Sequence, residues 1–284
     1  MSRSSGSGYN EPEQLNLRAK NHIFPMKTRL DQLLVDRGLA ASRNQAQALI
    51  LRGRVQVEGI SGLKAGTLVP EEAAITLEEA PRFVSRGGEK LAAALDHFQV
   101  SSAGKVALDA GASTGGFTQV LLSRGARKVY AVDVGYGQLD PSLRHHPGVV
   151  SLERQNLRRL PREAVPEPLD LITLDLSFIS LTLVLPRMLE FLRPGGELLA
   201  LVKPQFEVGK GKVGKGGVVR DPELQRQAVA KVAAVAASLG FQVSEAFPSP
   251  LKGPKGNQEY FLHLIGPGGQ PGGAALIDKY PEEF

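Results

Sequence analysis

The sequence predicts an α/β fold: a mostly parallel sheet with helices on both faces, preceded by a small α+β module. Three observations carry this reading. From about residue 89 onward, short apolar runs alternate with helical patterns. Before that, residues 27–80 hold two short helical patterns and a few brief alternating strands. Finally, a glycine-rich turn joins the first long apolar run to a helix, as doubly wound sheets do at a ligand crevice.

At 284 residues the chain has room for two domains. The expected organisation is an arm over 1–26, the α+β module over 27–80, a connector over 81–88, the α/β domain over 89–267 and a tail over 268–284. The Ser/Gly-rich arm has no helical or strand period and reads as flexible. With no cysteine in the chain, disulfide scaffolds, thiolate metal sites and cysteine nucleophiles are excluded. No apolar run has the length of a signal peptide core or a membrane span, so a cytoplasmic protein without a membrane partner is expected. A net charge of +5 favours a polyanionic partner.

In the first module, Leu30, Leu33 and Leu34 share one face of a helix that stops at Gly38. Ser42 and Gln45 have capping-box spacing at the start of a second helix, whose apolar face is Ala46, Leu49 and Ile50 and whose end is marked by Gly53. Val55 and Val57, then Ile75 and Leu77, alternate as strands do. Residues 27–64 carry seven basic side chains against three acidic ones, which concentrates most of the chain's net charge there. Arg29, Arg43, Arg52 and Arg54 are therefore candidates for contacting RNA phosphates, although a solvated charged helix would look the same.

Within the α/β domain, VALDA, VYAVD, VVSLE, LITLD and LLALV are expected to be parallel strands, with a long helix near 222–239. FQVSEAF and EYFLHLI read as a closing hairpin. VALDA runs into Gly111-Ala112-Ser113-Thr114-Gly115-Gly116, and Asp133 ends the next strand 22 positions after Gly111. Such a loop brings backbone close to a ligand, and an acid at the second strand end can accept from ribose hydroxyls. A dinucleotide fingerprint needs glycine where Ser113 stands. Asp109, Gly111, Ser113 and Gly115 instead resemble the first motif of Rossmann-type methyltransferases, whose loop, here including Ala112 and Gly116, holds S-adenosylmethionine. Gln155 and Asn156 follow the third strand, where an adenine edge could be hydrogen-bonded.

One other reading shares these letters, and a second glycine-rich segment invites another. G-x-S-x-G is also the nucleophile elbow of α/β-hydrolases, and Asp175 and His263 follow Ser113 in triad order. Against it, His263 lies inside an alternating strand, and a hydrolase has no use for Asp133. Residues 209–215 imitate a phosphate loop, but Gly216 stands where Ser or Thr must hold magnesium. Lys210, Lys212 and Lys215 there suit a mobile phosphate-contacting loop that orders on substrate binding. Asp175 ends LITLD and Lys203 follows LLALV, both at the carboxyl ends of buried strands; Lys90, at the start of a helix, and Glu259, at the start of the last strand, could reach the same crevice from its margins.

Six ordered blocks complete the picture: SRGGEKL, LDAGASTGGFTQVLL, VDVGYGQL, LDLSFISL, LVKPQFEVGKGKVGKGGVV and GNQEYFL. Together with RLDQLLVDRGLAASRNQAQALILRGRVQVEG, which is similar to the RNA-binding domain named after ribosomal protein S-four, they resemble the TlyA family, often labelled hemolysin A and related to the FtsJ ribose methyltransferases. The resemblance implies a Rossmann-like methyltransferase fold, S-adenosylmethionine as cofactor and no metal. It also implies transfer of a methyl group to a cytidine ribose 2′-hydroxyl, with ribosomal RNA or ribosomal subunits as partner. Lys90, Asp175, Lys203 and Glu259 fall on its catalytic constellation. The connector reads Pro-Arg-Phe-Val where some members carry a tryptophan-containing linker. Two further classes, lysis of membranes and RNA binding without catalysis, are kept as alternatives.

Overall fold

The computed structural model describes residues 26–78, 82–209 and 211–268, in two compact units, Met1–Ala80 and Pro81–Phe284. The expected arm and tail lie outside the described residues except for Met26 and Gly268, as does Lys210.

The first unit follows the leucine pattern. β1 (Lys27–Arg29) leads directly into α1 (Leu30–Asp36), and α2 (Arg43–Leu51) starts at Ser42, whose Oγ accepts from the Gln45 amide at 3.3 Å. That bond satisfies one of the amides left free at a helix start. β2 (Val55–Val57) pairs antiparallel with β4 (Ile75–Leu77), and β1 with β3 (Leu68–Pro70). Leu30, Leu34, Ala46, Val57 and Val69 close the small core. β1 and β3 escape the sequence reading because KTR carries no apolar residue and LVP does not alternate, whereas the equally short VQV and ITL do.

The second unit opens with α3 (Arg86–His97), so the expected connector is already helical in its last three residues. Phe83 is buried in the second unit's core, against Gly88. There follow β5 (Val106–Ala110), α4 (Gly116–Ser123), β6 (Lys128–Val132), α5 (Pro141–Arg144), β7 (Val149–Leu152), β8 (Leu169–Leu174), α6 (Leu185–Leu189) and β9 (Leu192–Val202). α7 (Pro204–Glu207), α8 (Pro222–Ser238), β10 (Gln242–Pro248) and β11 (Tyr260–Ile265) complete it. The sheet order is β10-β11-β9-β8-β5-β6-β7. The five strands from β9 to β7 are parallel, and the β10–β11 hairpin adds antiparallel to β9.

Both sheet faces are covered, which is why the strands read as near-continuous apolar runs. Leu108, Ile172 and Leu198 join Val229, Val232 and Ala236 of α8 on one side. Ala107, Leu171 and Leu199 join Leu91 and Leu95 of α3 and Val120 and Leu121 of α4 on the other. The chain runs outward from β5 to β6 and β7, then returns to β8 on the opposite flank. The crevice of such a sheet opens beyond the carboxyl ends of the two strands where the order reverses, here β5 and β8. The residues directly after those strands are Gly111 and Asp175.

Candidate active site

The turn after β5 lies against the end of β8. A Cβ on Gly111 would stand 2.5 Å from the Asp175 carbonyl oxygen, and one on Gly116 would stand 2.9 Å from the Gly88 backbone nitrogen, so both positions admit only glycine. The loop is also tied to β6. Asp133 Oδ2 accepts from the Ser113 amide at 2.9 Å, and Oδ1 accepts from the Gly135 amide at 2.6 Å. Bare backbone thus borders a pocket of about 330 Å³ lined by Gly111, Ala112, Ser113, Thr114 and Gly116.

All four charged residues from the strand ends and margins line this same pocket. They form two ion pairs. Lys90 Nζ donates to Glu259 Oε2 at 2.5 Å, with both side chains nearly inaccessible. Lys203 Nζ lies 2.7 Å from Asp175 Oδ1 and donates to Ser177 Oγ at 3.0 Å. The lysine approaches Asp175 off the hydrogen-bonding direction, so this buried Oδ1 keeps an unfilled acceptor position. A cation beside an unfilled carboxylate acceptor, at the rim of a glycine-lined pocket, can orient a hydroxyl group and hold its proton.

Other expected residues lie elsewhere or have other partners. Asp109 is fully buried below the loop, accepting from Thr118 Oγ1 at 2.7 Å; burial pushes its carboxyl up to about 7 despite that bond. Asn156 Oδ1 accepts from the Arg158 amide at 3.0 Å as the cap of a short helical turn, and Gln155 Nε2 donates to the Glu153 carbonyl. Glu153, which the sequence reading missed, instead borders a small cleft with Asp133, Ser113 and Gln138. Its place one residue before Arg154, at the third strand's end, was the available signal.

The hydrolase triad does not assemble. His263 is buried within β11 and bonds Glu197 Oε2 at 2.9 Å, while Asp175 pairs with Lys203 and Ser113 Oγ donates to Gln138 Oε1. Burial pushes the Glu197 carboxyl up, but His263 and Lys105 outweigh it and hold it at about 2. His263 is therefore committed to a structural hydrogen bond.

In the first unit, Asp31 is inaccessible and collects Arg29 through Nε and Nη2, Arg43 through Nη2 and Gln47 through Nε2, each at 3.0 Å. Arg29 above all, with Gln47 and Arg43, holds the Asp31 carboxyl well below the usual carboxylate range against its burial. Both arginines remain about half exposed, so each keeps N–H groups facing outward. Arg54 donates to the Glu78 carbonyl, and Arg52 is exposed. Lys212 and Lys215 are exposed on a loop that is anchored rather than loose: buried Asn257 accepts from the Val219 amide and donates to the Gly217 carbonyl, each at 2.9 Å.

Residues 83–265 match the FtsJ-like methyltransferases and residues 28–75 match the S4 domain. Over 240 residues the chain is 51% identical to the 16S/23S rRNA (cytidine-2'-O)-methyltransferase TlyA of Mycobacterium tuberculosis, covering 84% of this chain and 90% of that protein. It is 39% identical over 238 residues to Hemolysin A of Brachyspira hyodysenteriae, covering 84% of this chain and 99% of that one. A solved structure from Streptococcus thermophilus, provisionally named a hemolysin, is 39% identical with a TM-score of 0.66 over 86% of this chain and 90% of that chain. The chain belongs to the FtsJ-like methyltransferase family, and within it to the TlyA proteins. Its seven-stranded sheet is the Rossmann-like methyltransferase fold, with an S4 domain ahead of it. No helix among the described residues is long and apolar enough to cross a membrane.

Proposed function

We propose that this protein transfers a methyl group from S-adenosylmethionine to the ribose 2′-hydroxyl of a cytidine in ribosomal RNA. The observation that carries the reading is the meeting of the Lys203–Asp175 and Lys90–Glu259 pairs with the glycine loop around one pocket. The open backbone of Gly111 and Gly116 and the carboxylate of Asp133 suit the amino-acid and ribose parts of the cofactor. When bound, the cofactor supplies a methyl group already activated by its sulfonium.

What remains for the protein is alignment and proton removal. Lys203 accepts the hydroxyl proton at Nζ. Asp175 and Ser177 fix the direction of that amine. The buried Lys90–Glu259 pair forms part of the same wall and holds it in place. Recognition of RNA phosphates falls to Arg29, Arg43, Arg52 and Arg54 of the S4 domain and to the lysines at 210, 212 and 215. Incubating the full chain with ribosomal RNA and labelled S-adenosylmethionine tests the reading: label should appear on a ribose 2′-oxygen, and label on a base or none at all would refute it.

A further inference from the structure

We infer that the side-chain amide of Gln205 pairs with the edge of the target base, so that base recognition is built into the wall beside Lys203. The inference rests on the methyltransferase reading above. A second pocket, of about 360 Å³, adjoins the first and shares Ser177, Lys203, Pro254 and Glu259 with it. A nucleoside whose ribose reaches Lys203 would place its base in this second space.

The walls suit a base. Phe178 is 91% exposed on a residue with φ +64°, and its ring centroid lies 5.2 Å from that of Phe206. A bulky residue held in the left-handed region with its ring in water is costly on both counts, and a base stacking on the ring recovers apolar contact. Gln205 supplies the polar complement. Its Oε1 is inaccessible and has no hydrogen-bond partner, so a turn of the carboxamide presents it to a base, and its Nε2 has no partner among the described residues. Asn257, the other carboxamide on this wall, spends both of its groups on the Val219 and Gly217 backbone.

An unpaired carboxamide offers one acceptor beside one donor. The Watson–Crick edge of an unpaired pyrimidine offers the reverse: in cytosine the exocyclic amine can donate to Oε1 while N3 accepts from Nε2. That edge is free only when the nucleotide is swung out of its helix, which is also what brings its ribose to a recessed lysine. Turned over, the same amide would serve uracil, so the inference concerns pairing with the edge rather than choice between the two pyrimidines.

The test is a cycle that removes each partner in turn, using the full chain and two ribosomal RNA substrates. One carries cytidine at the target and the other zebularine, which lacks the exocyclic amine. Wild type should lose about tenfold in kcat/KM on zebularine, and Gln205→Leu should lose about tenfold on cytidine with no further loss on zebularine. Gln205→Glu, which keeps the shape and the acceptor but not the donor, should fall between. Cofactor affinity near wild type in calorimetry establishes that each variant is folded. A Leu variant that keeps the full preference for cytidine over zebularine, or that methylates cytidine at the wild-type rate, would overturn the inference alone. Absence of methyl transfer by wild type on cytidine RNA would overturn the methyltransferase reading and this inference with it.

Discussion

Lys203 is paired with Asp175, and the proposed reaction offers it two roles. A base needs a neutral amine; an orienting cation needs only charge. Lys203→Arg keeps charge and reach but cannot take a proton, so single-turnover methylation should vanish at every accessible pH while cofactor affinity stays near wild type. Retention of most of the rate would make Lys203 an orienting cation. Ser113→Ala should leave methyl transfer largely intact, since among the described residues that hydroxyl hydrogen-bonds only to Gln138. Glu259→Ala combines two effects, because it strands the almost inaccessible Lys90 without its partner. Such losses cost about 3–5 kcal/mol, so denaturant unfolding should show a clear drop alongside lost activity. Asp109 carries a pH signature. Its carboxyl is raised from 3.8 to about 7, so between those values the folded state holds a proton that the unfolded chain has released. That contribution is complete below about pH 4 and fades as pH rises to about 7, at up to about 1.4 kcal/mol per pH unit. Comparing urea unfolding of wild type and Asp109→Asn at pH 5 and pH 8 should show the wild type losing more stability than the variant on going up in pH. Parallel behaviour would place the proton elsewhere.

At the scale of elements, the glycine turn is a joint between β5, α4 and β8 as much as a binding loop. Gly111→Val would drive side-chain atoms into the Asp175 carbonyl, so it should weaken S-adenosylmethionine binding and also disturb Asp175 itself. Asp133→Ala removes the acceptor for the Ser113 and Gly135 amides, and calorimetry should likewise show weaker binding. Unchanged affinity in both would remove the loop from the cofactor site. These elements were legible because β5, β6, β8 and β9 are buried on both faces and therefore spell apolar runs ending in chemistry. What stayed hidden has physical causes too. Whether Asn156 caps a turn or faces a ligand depends on backbone direction, which composition does not encode. His263 looks like a triad member in chain order, yet in β11 it pairs across the sheet with Leu199 on β9, well back from the strand end near Lys203. Phe178 and Gln205 line a pocket with Lys203 without belonging to any periodic pattern, so it is the fold that brings them together.

The whole molecule joins an S4 domain to a methyltransferase domain, and the two should fail separately. Arg52→Glu, at an exposed position in the S4 domain, should weaken RNA binding and flatten its dependence on salt, because fewer counterions are released. Cofactor affinity should not move. Asp31→Ala should act on the same readout by releasing Arg29 and Arg43 from their shared anchor, with added loss of stability from the unpaired core position. A salt slope unchanged in Arg52→Glu would take that residue out of the RNA contact. The central claim, however, is chemical: one pocket, two ion pairs and a glycine loop place a methyl group on a ribose. The most direct measurement is nucleotide-resolution mapping of ribose methylation in ribosomal RNA treated with S-adenosylmethionine and either the wild-type chain or Lys203→Arg. The expected result is a 2′-O-methylcytidine that appears with wild type, requires the cofactor and is absent with the variant. No ribose methylation with the wild-type chain, or methylation confined to bases, would contradict it.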